Sequence, residues 1–98
     1  MIKVQLPPHL GKLSRQQRIV EVSVAGEPTV ASVLDALERD LPMLRGTIRD
    51  AATGARRAFL RFYVAGEDIS HDPTDTPLPA AVASGEEIFQ IIGAIAGG

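Results

Sequence analysis

The 98-residue chain contains no cysteine. That excludes disulfides, thiolate metal ligands and a cysteine nucleophile, though it names no compartment. No apolar run approaches the roughly 18 residues of a membrane-spanning helix. The opening MIKVQLPPHLG breaks at Pro7-Pro8 and lacks the long apolar centre of a secretory signal. A cytoplasmic protein is the expectation. Excess charge is missing too: the formal net charge is -2, which argues against nucleic acid or an anionic membrane surface as partner. Among catalytic patterns there is no Gly-x-Ser-x-Gly elbow, no His-Glu-x-x-His pair and no phosphate-cradling loop, so the chain reads as something other than an enzyme.

What is present is ordinary globular composition, 45% hydrophobic and 22% charged. A chain of this length buries a little under about two-thirds of its unfolded surface, enough for one core and one domain. MIKVQL alternates Ile2, Val4 and Leu6 against Lys3 and Gln5, the period of a half-buried strand, and the two prolines end it. Leu10 to Arg18 reads as a polar loop, after which RIVEVSV alternates again through Val20, Val22 and Val24, completing a long-looped hairpin. Val30, Val33, Leu34, Leu37 and Leu41 recur at helical spacing behind Thr29 as N-cap, and Pro42 closes the helix. Leu44 and Ile48 stand one turn apart and fit a short second helix, followed by a turn in DAATGARRA.

FLRFYVAGEDI returns to strand character, with Leu60, Phe62 and Val64 on one side and a turn at Ala65-Gly66. The proline-rich SHDPTDTPLPAAVASG supplies a loop and one short turn, and EEIFQII the last strand. The order implies an α+β domain in which one main helix covers one face of a four-stranded sheet. Alternation in the last strand places apolar groups on both faces, so Phe89, Ile91 and Ile92, with Phe59 and Arg61 on the neighbouring strand, are candidates for a partner interface.

Two further clusters invite sharper readings. His71 lies near Glu67, Asp68, Asp72 and Asp75, but the segment lacks the spacing of a calcium loop and reads as a solvated acidic loop, with no metal expected; His9 reads as a loop residue. Arg45, Arg49, Arg56, Arg57 and Arg61 make a local basic stretch, read first as a decorated surface and second as a docking patch for a protein partner.

The chain ends in IIGAIAGG. Two glycines at the end of a chain arise by chance in roughly one case in two hundred. Together with FYVAGEDI and SGEEIFQIIGAIAGG, this end resembles the MoaD/ThiS family of sulfur carriers. The resemblance runs from Ile2 to Gly98 and is strongest over the last fifteen residues. Ala65 stands where that family commonly has asparagine, Gly93 lies near its usual proline, and one additional residue after Gly85 is accommodated by a bulge in the last strand. The long segment from Pro42 to Ala58 is similar to that of the branch serving cysteine synthesis.

The resemblance implies a ubiquitin-like β-grasp fold, a mixed sheet of four to five strands on one main helix, occupying residues 1–98 with a flexible Gly-Gly tail over 93–98. It implies that an E1-like enzyme, using ATP and magnesium, adenylates Gly98 and converts it to a thiocarboxylate, with no cofactor bound by the carrier itself. Ala94, Ile95, Ala96 and Gly97 would be the segment recognised. A sulfur-accepting enzyme of cysteine, molybdopterin or thiamin synthesis would be the second partner. The alternatives are a ubiquitin-like modifier joined through Gly98 to lysines, and a β-grasp binding module that never uses its end.

Overall fold

Residues 1–15 and 18–93 are described by the structure, a computed structural model. The alternating N-terminal segment forms β1 (Ile2–Gln5), with Ile2 and Val4 buried and Lys3 exposed. Pro7 and Pro8 then do more than stop it. Pro8 occupies the first turn of a short helix, α1 (Pro8–Ser14), where its missing N–H costs nothing. Leu10, Gly11 and Ser14 turn inward, and the buried Ser14 hydroxyl donates to the Leu10 carbonyl at 2.8 Å. A loop was expected here. Seven residues with one glycine and a single large buried side chain, Leu10, carry too little periodicity to announce a helix; packing supplies what propensity does not. Arg15 ends it in the left-handed region, at φ 57°.

β2 (Ile19–Val22) pairs antiparallel with β1 in the register Ile2 to Val22 and Val4 to Val20. It stops two residues earlier than the alternation predicts, while Val24 still packs against the core. The main helix, α2 (Val30–Asp40), begins at Thr29 as expected. Its hydroxyl accepts the Ser32 N–H at 3.0 Å, and the Ser32 hydroxyl accepts the Thr29 N–H at 2.8 Å, a reciprocal cap that satisfies two otherwise orphaned donors. Val30, Val33, Leu34, Ala36 and Leu37 form its buried stripe. Past Leu41 the chain makes a single 3-10 turn, Pro42–Leu44, rather than a second α-helix; Leu44 and Ile48 are nonetheless fully buried.

β3 (Leu60–Val64) follows, with Leu60, Phe62 and Val64 buried, and a two-residue turn leads into β4 (Glu67–Asp68). The proline-rich segment ends in a helical turn longer than expected, α3 (Ala80–Ser84), which wholly buries Val82. β5 (Phe89–Gly93) closes the fold. The sheet has five strands in the order β2-β1-β5-β3-β4, with β1 and β5 parallel and the remaining pairs antiparallel. The pairing of β5 to β3 runs without interruption from Tyr63 opposite Gln90 to Leu60 opposite Gly93, so the bulge expected in the last strand is absent from it.

The turn between β3 and β4 shows a local compromise. Ala65 and Gly66 both have positive φ, 51° and 79°, the signature of the mirror-image turn that suits hairpin twist. Glycine adopts this freely, whereas alanine meets a steric penalty of roughly 1 kcal/mol. Ala65→Asn is therefore expected to stabilise the domain by about 0.5–1 kcal/mol and to raise the melting temperature by about 4 °C, because asparagine tolerates the left-handed region. Thr29→Ala works in the opposite direction and should cost about 1 kcal/mol through loss of the cap, both changes being readable by urea denaturation.

Candidate functional site

The region to which the sequence points is the end of β5. Five residues, Ala94 to Gly98, follow it, and these lie outside the described residues; Gly98 as reacting group and Ala94, Ile95, Ala96 and Gly97 as recognition segment are among them. Gly93, expected as the first tail residue, belongs to the sheet and pairs with Leu60. The root of the tail is thus held to β3, beyond Gln90, the last β5 residue paired with β1.

Alternation along β5 decides which of the interface candidates have any surface. Phe89 and Ile91 are fully buried. They belong to the core: the Phe89 ring lies 5.4 Å from that of Phe62, centroid to centroid, and faces Val4 across the parallel pair. As interface candidates they are therefore corrected. The opposite parity reaches solvent, and Ile92 is 38% exposed beside its cross-strand neighbour Arg61. Phe59, just before β3, is 65% exposed, unusual for an aromatic side chain.

Around Ile92 the uncovered sheet face is polar and internally tied. Gln90 donates its amide to the Gln5 side-chain carbonyl at 3.3 Å across the parallel strands. Arg61 reaches Asp68 at 3.5 Å and His71 at 3.3 Å. Asp68 has its carboxyl held below the usual range, first by the Ser70 hydroxyl and then by the Ser70 N–H, with Arg61 contributing. The same Ser70 hydroxyl accepts the Phe62 N–H at 2.8 Å, which fastens the short edge strand onto β3. His71 thus belongs to an arginine and carboxylate cluster. Among the described residues no three histidine, aspartate or glutamate side chains converge as a metal site would require.

The basic stretch resolves into separate structural ties. Arg49 binds Glu38 at 2.9 Å and also Asp35, clamping the 45–57 segment to α2; burial disfavours its charge, but the bonds to Glu38 and Asp35 outweigh that and raise its pKa. Arg56 donates to the carbonyls of Leu60 at 2.6 Å and Ser70 at 3.3 Å. Arg57 donates from Nε to the Gly46 carbonyl at 2.9 Å and approaches Asp50 only to 3.8 Å. Sequence spacing showed five neighbouring cations, and the tertiary structure spends most of them on carboxylates and carbonyls. No signal in the sequence separates Arg57, which lines a groove with Phe59 and Gly93, from the others.

At one end of the sheet, α1, the 3-10 turn region and the start of β3 leave a groove of about 430 Å³ beside Gly93. Pro7, His9, Thr47, Arg57 and Phe59 line it. Sequence reasoning placed Pro7 and His9 in a loop and missed this groove, because it exists only where three segments distant in the chain meet. No helix among the described residues is long and apolar enough to cross a membrane.

No protein-family model and no curated protein matches the chain in sequence. Solved structures do match in shape. SAMP1 from Haloferax volcanii superposes over 98% of this chain and 97% of its own, with TM-score 0.74 and 23% identity. A chain of the Amycolatopsis orientalis BexX/CysO complex superposes over the full length of both, with TM-score 0.77 and 20% identity. The H. volcanii small archaeal modifier protein 1 matches over 95% of each chain, with TM-score 0.73 and 19% identity. With a mixed five-stranded sheet packed on helices and end-to-end agreement with these structures, the chain has the ubiquitin-like β-grasp fold.

Proposed function

We propose that this protein is a sulfur carrier whose Gly98 carboxyl is the group that enzymes load and unload. One observation carries the reading: the central strand of a β-grasp sheet runs, five residues on, into Gly97-Gly98. Five residues span at most about 17 Å, enough to present a carboxyl in the active site of another protein while the domain stays outside. Small side chains keep that segment thin. Glycine at its end permits backbone angles closed to other residues.

A terminal carboxyl has a reference pKa of about 3.3–3.7, so at neutral pH it is a carboxylate and a poor electrophile. Activation must come from outside. Attack of a Gly98 carboxylate oxygen on the α-phosphorus of ATP, with pyrophosphate leaving, gives an acyl adenylate. Hydrogen sulfide ion, supplied by the sulfur donor, then attacks the acyl carbon, a C–S bond forms as the C–O bond to AMP breaks, and loss of the remaining S–H proton leaves a terminal thiocarboxylate. The activating partner is an E1-like enzyme that uses ATP and magnesium. The accepting partner is an enzyme that builds sulfur into a product, with cysteine synthesis the leading case. Support for a partner enzyme comes from the Amycolatopsis neighbour, which is part of a BexX/CysO complex. In this reading the chain is a covalently loaded substrate and not a catalyst.

A second reading has a specific observation behind it: one H. volcanii neighbour is named as a modifier protein. Activation at Gly98 would then end in an amide to a lysine of another protein. Both outcomes are readable by intact-mass analysis after incubation with ATP, magnesium, an E1-like enzyme and a sulfur donor. Replacement of one oxygen by sulfur on the full chain is the expected result, and adducts to lysines of other proteins would support the modifier. Removing Gly97 and Gly98 should abolish loading, and Gly98→Ala should slow adenylation by at least tenfold through the methyl beside the reacting carbonyl. Full loading of the truncated chain would refute the role of the tail.

A further inference from the structure

The groove beside Gly93 joins apolar walls to one cationic side chain. Its walls are apolar: the buried Pro7, the buried Leu60 and the exposed ring of Phe59. A Cβ built on Gly93 would meet Pro7 Cβ at 3.6 Å and His9 Cε1 at 3.7 Å, ordinary contact distances, so the last turn of strand backbone forms part of the wall itself. No aspartate or glutamate is among the described residues that line it. Its charged member is Arg57, oriented by the bond from Nε to Gly46, with Asp50 beyond hydrogen-bond range at 3.8 Å. Arg49 and Arg56, by contrast, are committed to carboxylates and carbonyls.

An apolar slot with a cationic group at its rim is complementary to a segment that is apolar and acidic at once. A lone apolar ligand would leave Arg57 without use, and a basic segment would be repelled. We infer that the groove takes a short segment of a partner protein in which an aromatic or branched side chain seats against Phe59 and Pro7 and an adjacent aspartate or glutamate pairs with Arg57. An aromatic anchor in a pocket, with a charge-assisted bond at its edge, is the arrangement that concentrates binding energy at protein interfaces. The groove adjoins the strand end from which the tail departs, so a partner held here has Gly98 within the tail's reach of about 17 Å. The inference thus deepens the proposed carrier role by naming a feature of the loading partner.

The test uses the 15N-labelled full chain, unloaded, titrated with acetyl-Gly-Phe-Asp-Glu-Gly-amide. Saturating shifts at the amides of His9, Thr47, Leu60 and Gly93 are expected. A matched peptide with two lysines in place of the acids, and one with serine in place of phenylalanine, should each bind at least tenfold more weakly. Arg57→Glu should reverse the preference between acidic and basic peptides, and Phe59→Ala should weaken the acidic one about tenfold; both side chains are exposed, and the unperturbed remainder of each spectrum certifies the fold. Equal binding of the lysine peptide, shifts centred instead on Ile92 and the open sheet face, or no saturating shift would overturn the inference. Because the titration needs no loading of Gly98, a chain that cannot be loaded but binds the peptide strikes only the carrier role, and a chain that is loaded but does not bind strikes only the groove.

Discussion

The parallel pairing of β1 with β5 is the contact on which the rest of the fold depends. It joins the first strand of the chain to the last, with Val4 opposite Phe89, and it places β5 between β1 and β3 in the middle of the sheet. Neither half of the sheet is complete without it. The hairpin of β1 and β2 and the ribbon of β3 and β4 are each two-stranded, a size that is marginal in water until a shared strand and a covering helix unite them. Such a sheet closes only after nearly the whole chain is present, since its key contact spans most of the sequence and the loop entropy must be met before the pairing returns it.

The same strand serves as scaffold and as exit. Phe89 and Ile91 face the core, Gln90 and Ile92 face outward, and Gly93 ends the ladder opposite Leu60. At Gln90 the strand is paired on both sides, with Gln5 and with Tyr63, the stiffest arrangement a small sheet offers. Local strain is placed elsewhere, at the Ala65-Gly66 turn and in the left-handed Arg15.

Electrostatics in this molecule mainly hold loops to elements. Arg49 clamps the long 45–57 segment to Asp35 and Glu38 on α2, Arg56 gathers the carbonyls of Leu60 and Ser70, and Asp50 caps its own turn by accepting the N–H groups of Ala52 and Thr53 at 2.9 and 2.8 Å. Partly buried pairs that satisfy backbone carbonyls order a glycine-containing connector which apolar burial alone would leave with little beyond Leu44 and Ile48. Beside the strand end, Arg57 keeps one bond to the Gly46 carbonyl and a looser pairing with Asp50, next to the exposed Phe59.

Periodicity made the strands and α2 legible, because burial on one face writes itself into the spacing of Val4, Val33, Leu37 and Phe62, and Thr29 announced its cap by residue type and position. Short elements were not legible: α1 and α3 are one or two turns long and owe their helical state to Leu10 and Val82 finding the core, a contact no local window contains. The sequence by itself determined the main helix, its cap and the strand that leads toward Gly97-Gly98. Only the tertiary structure decided that Phe89 and Ile91 face inward while Ile92 faces out, and that Arg57 and Phe59 meet Pro7 and His9 across a groove. Parity in a strand that is apolar on both sides is set by which neighbours and which helix cover it, and a groove between three distant segments is a property of their docking.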